Sequence, residues 1–262
     1  RDENIVELKG GIPWLISRIV RTAAETSIPR AMVLVPKASI TLTLTTREDF
    51  IPYPSVNSPV VFSADSFLID RFPVTNQQYH EFLLSSGYRP SDTSNFLRHW
   101  LNGIYRPGQE KYPVVNVSYE DMKAYAEWAG KRLPTQAEWQ IAAQGTDGRK
   151  WPWGDEFYGT RCNNSFGRPT PVDAFPKGAS PYGAMDIVGN VWQATGDMYF
   201  NGTNYFIIIR GGSYYRPDSS WWYIQGGPQQ LDRTQIMLLV SQGYDRSSTV
   251  GFRCVKDIDG KN

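Results

Sequence analysis

Three helix-start signals set the frame for this chain. Thr75 is followed three residues later by Gln78, Ser118 by Asp121, and Thr135 by Glu138. In each pair the first side chain can accept an orphan backbone amide, while the second reaches back to the cap's own N–H. One apolar face follows each start: Tyr79, Phe82 and Leu83; then Met122, Tyr125, Ala126 and Ala129; then Trp139, Ala142 and Ala143. Gly87, Gly130 and Gly145 stand where a left-handed exit ends each helix. The spacing therefore predicts three short, closed helices. Around them the chain reads as strands. Residues 31–45 are rich in β-branched side chains, and Phe67–Ile69, Ile207–Arg210 and Val250–Val255 are short apolar runs. Few short helices among short strands predict an α+β class.

At 262 residues, 40% hydrophobic and 14% aromatic, the chain can bury a large core. A net charge of +1 gives no electrostatic case for nucleic acid or an anionic membrane. No apolar run approaches a membrane span. Two cysteines, Cys162 and Cys254, make no disulfide framework. Residues 1–30 are expected to be an N-terminal extension, with Trp14, Leu15, Ile19 and Val20 at helical spacing after Pro13, and residues 31–262 a single domain. A short helix packed on the body and a partner or membrane-proximal contact both stay open for that extension. The chain starts at Arg1, so a processed N-terminus is expected.

The composition changes sharply after Arg210. Arg210-Gly211-Gly212-Ser213 reads as a strand end running into a tight turn. Gly251-Phe252-Arg253-Cys254 reads as a second rigid anchor. Between them, residues 213–250 contain no Lys, Glu, Ala or Phe, and are filled with Tyr, Trp, Ser, Gln, Gly, Arg and Asp. That usage matches interfaces and antibody paratopes, where rigid rings give contact area at low entropic cost. The alternative is a long surface connection with some buried aromatics. Ile236–Val240 is apolar enough for part of it to be a buried strand that splits any such face in two.

The series AMVLVP, FLIDRFPVTNQQYHEFL, GKRLPTQAEW, WPWGDE, DIVGNVW, RGGSY and GFRC, in that order, resembles the sulfatase-modifying-factor family, the domain of formylglycine-generating enzymes. The likeness runs from about Met32 to Val255. It implies a C-type-lectin fold of the formylglycine-generating-enzyme type: α+β, a small twisted antiparallel sheet, two or three helices and much irregular backbone. In that family two cysteines a few residues after RGGSY bind copper. Thiolates suit soft copper(I), but here Arg216 and Trp221 stand in that region and no cysteine lies between Cys162 and Cys254. Cys254 matches a structural position. Relatives that hold iron use histidines, and this chain has only His80 and His99. Asp155 and Glu156 follow a turn and are expected to be solvated or structural. G-x-S-x-G, P-loop and HExxH motifs are absent from the sequence.

The variable proteins of diversity-generating retroelements, which use the same scaffold, resemble the chain in the remaining respects. That likeness implies a non-enzymatic protein with no required cofactor, displaying a variable face over about residues 210–255. The expected ligand contacts are Tyr215, Arg216, Asp218, Ser220, Trp222, Tyr223, Gln225, Asp232, Arg233, Tyr244, Asp245 and Arg246. The expected partner is a protein or other cell-surface ligand. The protein itself is expected to be a monomer at the cell surface, held by a lipid anchor upstream of Arg1. A structural calcium site is the family's other implication, at Asp186, Gly189, Val191 and Gln193, with Gln193 in place of the usual Glu and the second calcium loop shortened at 163–171. A metal-free glycine turn is the alternative there. An oxidase and an invariant docking lipoprotein remain the competing functions.

Overall fold

The computed structural model describes residues 4–6, 14–17, 19–45, 58–216 and 226–259. In chain order its strands and helices are β1 (Asn4–Val6), β2 (Trp14–Ser17), β3 (Met32–Val35), β4 (Ala38–Thr43), β5 (Pro59–Ala64), β6 (Phe67–Asp70), α1 (Asn76–Ser86), α2 (Tyr119–Trp128) and α3 (Gln136–Gln144). These are followed by β7 (Trp192–Phe200), β8 (Tyr205–Arg210), β9 (Gln235–Leu239), α4 (Gln242–Asp245), β10 (Val250–Phe252) and β11 (Val255–Asp257).

The three capping boxes form as the sequence predicts. Thr75, Ser118 and Thr135 each accept an N–H from three residues on, and each donates its own N–H to that residue's side chain. Gly87 ends α1 at φ 66°, a left-handed conformation that most residues enter only at a cost.

The largest sheet runs β1-β2-β7-β8-β9, with β10 added in parallel to β7. Its centre is β7. Trp192–Ala194 pair with β10, while Asp197–Phe200 pair with β2. On its other side β7 pairs with β8, but between Ala194↔Ile209 and Met198↔Ile207 it takes four steps against two. Such a bulge bends the strand, and polar groups around it bond to β8 and to the start of α3. Thr195 Oγ1 donates to Ile208 O at 3.0 Å. Asp197 accepts the Gln136 amide at 2.6 Å, at the start of α3, where a helix favours an anion. Burial nevertheless pushes the Asp197 carboxyl up to about 6, against the hydrogen bonds from Ser17 and Gln136.

Two smaller sheets, β11-β6-β3 and the β4–β5 hairpin, complete the layers among the described residues. One apolar core lies under α1 and α2, around Tyr79, Phe82, Tyr125 and Phe252. A second surrounds Trp139 of α3 with Val35, Phe67, Ile187 and Leu231, and a small third one joins Tyr199, Phe206, Ile208 and Ile236 across β7, β8 and β9. The β-branched run at 31–45 is thus two strands broken at Pro36-Lys37, as its composition predicts.

The N-terminal expectation needs correcting. Trp14–Ser17 is a strand rather than a helix, and it belongs to the main sheet. The C-terminal half of β7 has a free edge there, and a ladder of backbone bonds outweighs a weak 3.6-residue pattern. Beyond it, Thr22 donates its amide to Asp257 at 2.6 Å, so this stretch is tied to the domain rather than standing outside it. Among the described residues no helix is long and apolar enough to cross a membrane.

Candidate functional site

The stretch between β8 and β10 is held at both ends by buried arginines. Arg210, at the end of β8, is wholly enclosed. Its guanidinium donates to Gln136 at 3.1 Å, to Gln140, and to Leu231 O at 2.6 Å, and it lies 5.1 Å from the Trp139 ring. The contact with Leu231 ties the middle of the stretch to its start. Gly211 and Gly212 then turn at φ 89° and 80°. A Cβ on Gly211 would stand 2.4 Å from Ile187 O, and one on Gly212 2.3 Å from Gly227 O, so both the backbone conformation and the space exclude a side chain. The chain leaves this turn and returns through paired backbone bonds, Ser213 N to Gly227 O at 3.2 Å and Gly227 N to Tyr215 O at 2.8 Å.

Arg253 is the second anchor. Its guanidinium donates to the carbonyls of Asp70 (2.9 Å) and Met185 (2.7 Å) and to Gln193 Oε1 (2.7 Å). Complete burial lowers its pKa to about 10. Both arginines of the RGGS and GFRC motifs therefore serve as internal struts.

The expected contact residues fall in three places. Tyr215, 43% exposed, and Arg216 stand together, with Arg216 Nε donating to Asn164 O at 2.8 Å. Asp232 and Arg233 lie half-buried beside Thr45, whose amide donates to Asp232 O at 2.9 Å. Tyr244, on α4, is 84% exposed. Asp218, Ser220, Trp222, Tyr223 and Gln225 lie outside the described residues. As expected, β9 interrupts the stretch, pairing with β8 along its whole length.

Two members of the set do not belong on a surface. Arg246 is buried, with its Nε 2.9 Å from Asp121 Oδ2 and its Nη1 on the carbonyls of Asp92 and Ser94. Asp245 is buried too, and its Oδ1 accepts the Val240 amide at 3.0 Å, closing the end of β9 onto α4. Arginine and aspartate look like interface chemistry in the sequence, yet here they satisfy one another's neighbours inside the fold. Conversely, Asn164 and Asp92 border the face. No signal in the sequence marks them, because their contacts come from segments 52 and 151 residues away.

The calcium expectation also fails on geometry. A hard cation needs oxygen lone pairs converging on one point. Gln193 instead turns its amide nitrogen toward the carbonyls of Asp186 (2.8 Å) and Ile187 (3.1 Å), and its oxygen accepts from Trp139 Nε1 and Arg253 Nε. Arg253 already supplies the positive charge beside Asp186 O. Asp186 itself accepts from Asn190 Nδ2 at 2.7 Å, and burial pushes its carboxyl up to about 7. Gly189 N donates to Gly211 O at 3.0 Å, and Val191 is buried. These residues do not fit the ion. The melting temperature is therefore expected to be the same in calcium and in EDTA, and a calcium-dependent rise would reinstate a site.

The two cysteines are buried free thiols. Burial pushes Cys162 up to about 12 and raises Cys254 well above the usual thiol range, so neither is a ready thiolate.

Comparison with known proteins agrees with this architecture. The chain is 32% identical over 238 residues to the inactive C-alpha-formylglycine-generating enzyme 2 of Bos taurus, covering 72% of this chain and 76% of that one. It is 36% identical over 185 residues to the formylglycine-generating enzyme of Streptomyces coelicolor, covering 58% of this chain and 55% of that protein's length. The solved Treponema denticola variable protein 1 superposes with a TM-score of 0.55 at 20% identity, over 86% of this chain and 94% of that one, which shows a shared C-type-lectin-like fold. Residues 18–258 match the sulfatase-modifying factor enzyme 1-like domain, and the chain belongs to that family.

Proposed function

We propose that this protein is a non-enzymatic ligand-binding member of its family, displaying a sequence-variable face on a fixed scaffold at the cell surface. The observation that carries this is the separation of roles along residues 210–253. Arg210 and Arg253 fix both ends through fully buried bonds, whereas Tyr215, Arg216 and Tyr244 project from the stretch they hold. Exposed aromatic and arginine side chains on a rigid base suit recognition of a protein or other cell-surface partner. Sequences of this gene from several isolates, together with a search of the neighbouring DNA for a reverse transcriptase and a template repeat, test it. Changes concentrated between Tyr215 and Tyr244 support the proposal, and an invariant stretch opposes it.

The missing thiol pair after Tyr214 supports the same reading. Arg216 stands where the family's first copper thiol is expected, its guanidinium engaged with a backbone carbonyl, and both cysteines are enclosed. The bovine relative is itself named as inactive. Copper-dependent oxidation of a cysteine peptide is expected to stay at the rate of copper alone, measured by oxygen uptake and peptide mass. Turnover above that control would make the chain an oxidase.

A further inference from the structure

A cavity of about 280 Å³ lies where the two ends of the displayed stretch meet the body, between Tyr214 and Ser248 on one side and the 99–116 loop on the other. Two exposed arginines from separate loops, Arg106 and Arg168, line it, and among the described residues no carboxylate does. Its other walls are Tyr112, Pro113, Val115, Pro169 and Tyr214 on the apolar side and Asn76, His99, Gln109, Asn116 and Ser248 on the polar side. The Nδ1 of the His99 ring is buried and makes no hydrogen bond. A buried nitrogen left unpaired costs free energy, and such an atom asks for an explanation. Burial, with Arg106 as a smaller cause, also holds the His99 imidazole down at about 4, opposed by its bond to Asn116. The histidine is therefore neutral at neutral pH.

We propose that this cavity binds a small organic anion, a carboxylate or phosphate on an apolar body, with Arg106 and Arg168 supplying the charge. Paired guanidiniums recognise such oxygens by charge-assisted bonds. An apolar cleft with a few polar groups is the usual form of a small-ligand site. None of these residues lies between 215 and 246, so the site stands whether or not the outer face varies.

The test is proton NMR of the two histidines while the intact chain is titrated with benzoate, phenyl phosphate, inorganic phosphate and benzamide. Benzoate or phenyl phosphate is expected to shift the His99 ring signals to saturation, with His80, which does not line the cavity, as control. Benzamide, of the same shape without charge, is expected to bind at least about tenfold more weakly. The double variant Arg106→Gln/Arg168→Gln, checked for folding by circular dichroism, should weaken the anion at least about tenfold as well. Comparison of benzoate with phenyl phosphate assigns the head group. Equal affinity for benzamide, an unaffected double variant, or no saturable His99 shift up to about 10 mM ligand would overturn the anion site. Inorganic phosphate binding as tightly as phenyl phosphate would overturn the apolar part.

Discussion

Trp139→Ala is expected to lower the unfolding free energy by about 3–5 kcal/mol, the usual cost of cutting a core aromatic to alanine. Trp139 has no exposed surface and sits at the centre of the second core. Its loss also removes the hydrogen bond to Gln193 and the ring beneath Arg210. Both partners belong to the network that anchors the displayed stretch, so packing and positioning fail together. Tyr244→Ala is the matched control. That side chain is 84% exposed, and its removal is expected to change stability by less than about 0.5 kcal/mol. Urea denaturation of the two variants beside the unsubstituted chain measures both. If Tyr244 proved as costly as Trp139, the stretch would be core and the display proposal would lose its physical basis.

What the sequence made legible is local. The capping boxes at Thr75, Ser118 and Thr135 are read within four residues, and all three helices start there. The double glycine at 211–212 announces a close backbone approach, and Ile187 O and Gly227 O are the atoms it admits. The run at 236–239 reads as a strand because it is short and apolar, and β8 supplies the ladder for it. Family motifs placed the anchors correctly, because short sequence patterns around glycine and tryptophan fix backbone geometry.

What stayed hidden depends on distant partners. The N-terminal stretch reads as a helix because its apolar residues fall near that period, but the edge of β7 lies some 180 positions away in sequence and decides otherwise. Gln193 reads as a calcium ligand by its place after GNVW. Its real partners, Trp139 and Arg253, are 54 and 60 residues distant, and they turn its amide inward. The cavity beside His99 has no motif at all, since its lining comes from five separate segments. Composition, finally, cannot tell an arginine that greets a ligand from one that neutralises a buried carboxylate.

Arg246 is the case where that ambiguity has the largest consequence. Arg246→Ala is expected to destabilise the fold by about 3–5 kcal/mol, because it strands the buried carboxylate of Asp121. That carboxylate also accepts Ser118 N at 2.7 Å, as the capping box of α2, and Tyr88 Oη at 2.8 Å. Arg246 further binds the carbonyls of Asp92 (2.6 Å) and Ser94 (2.7 Å) and lies 4.9 Å from the Phe96 ring. One side chain thus ties α4 to α2 and to the loop before it. A double-mutant cycle with Asp121→Asn separates charge pairing from packing. The double variant should cost less than the two single variants summed, by roughly 0.5–3 kcal/mol, the range for groups in one network. Unchanged urea stability in Arg246→Ala would return this residue to the surface. With Arg246 and Asp245 fixed inside, the displayed face ends at Tyr244, so natural variants should differ at Tyr244 and retain Asp245 and Arg246. Substitutions of every kind at Arg246 in folded natural copies would contradict the strut assigned to it.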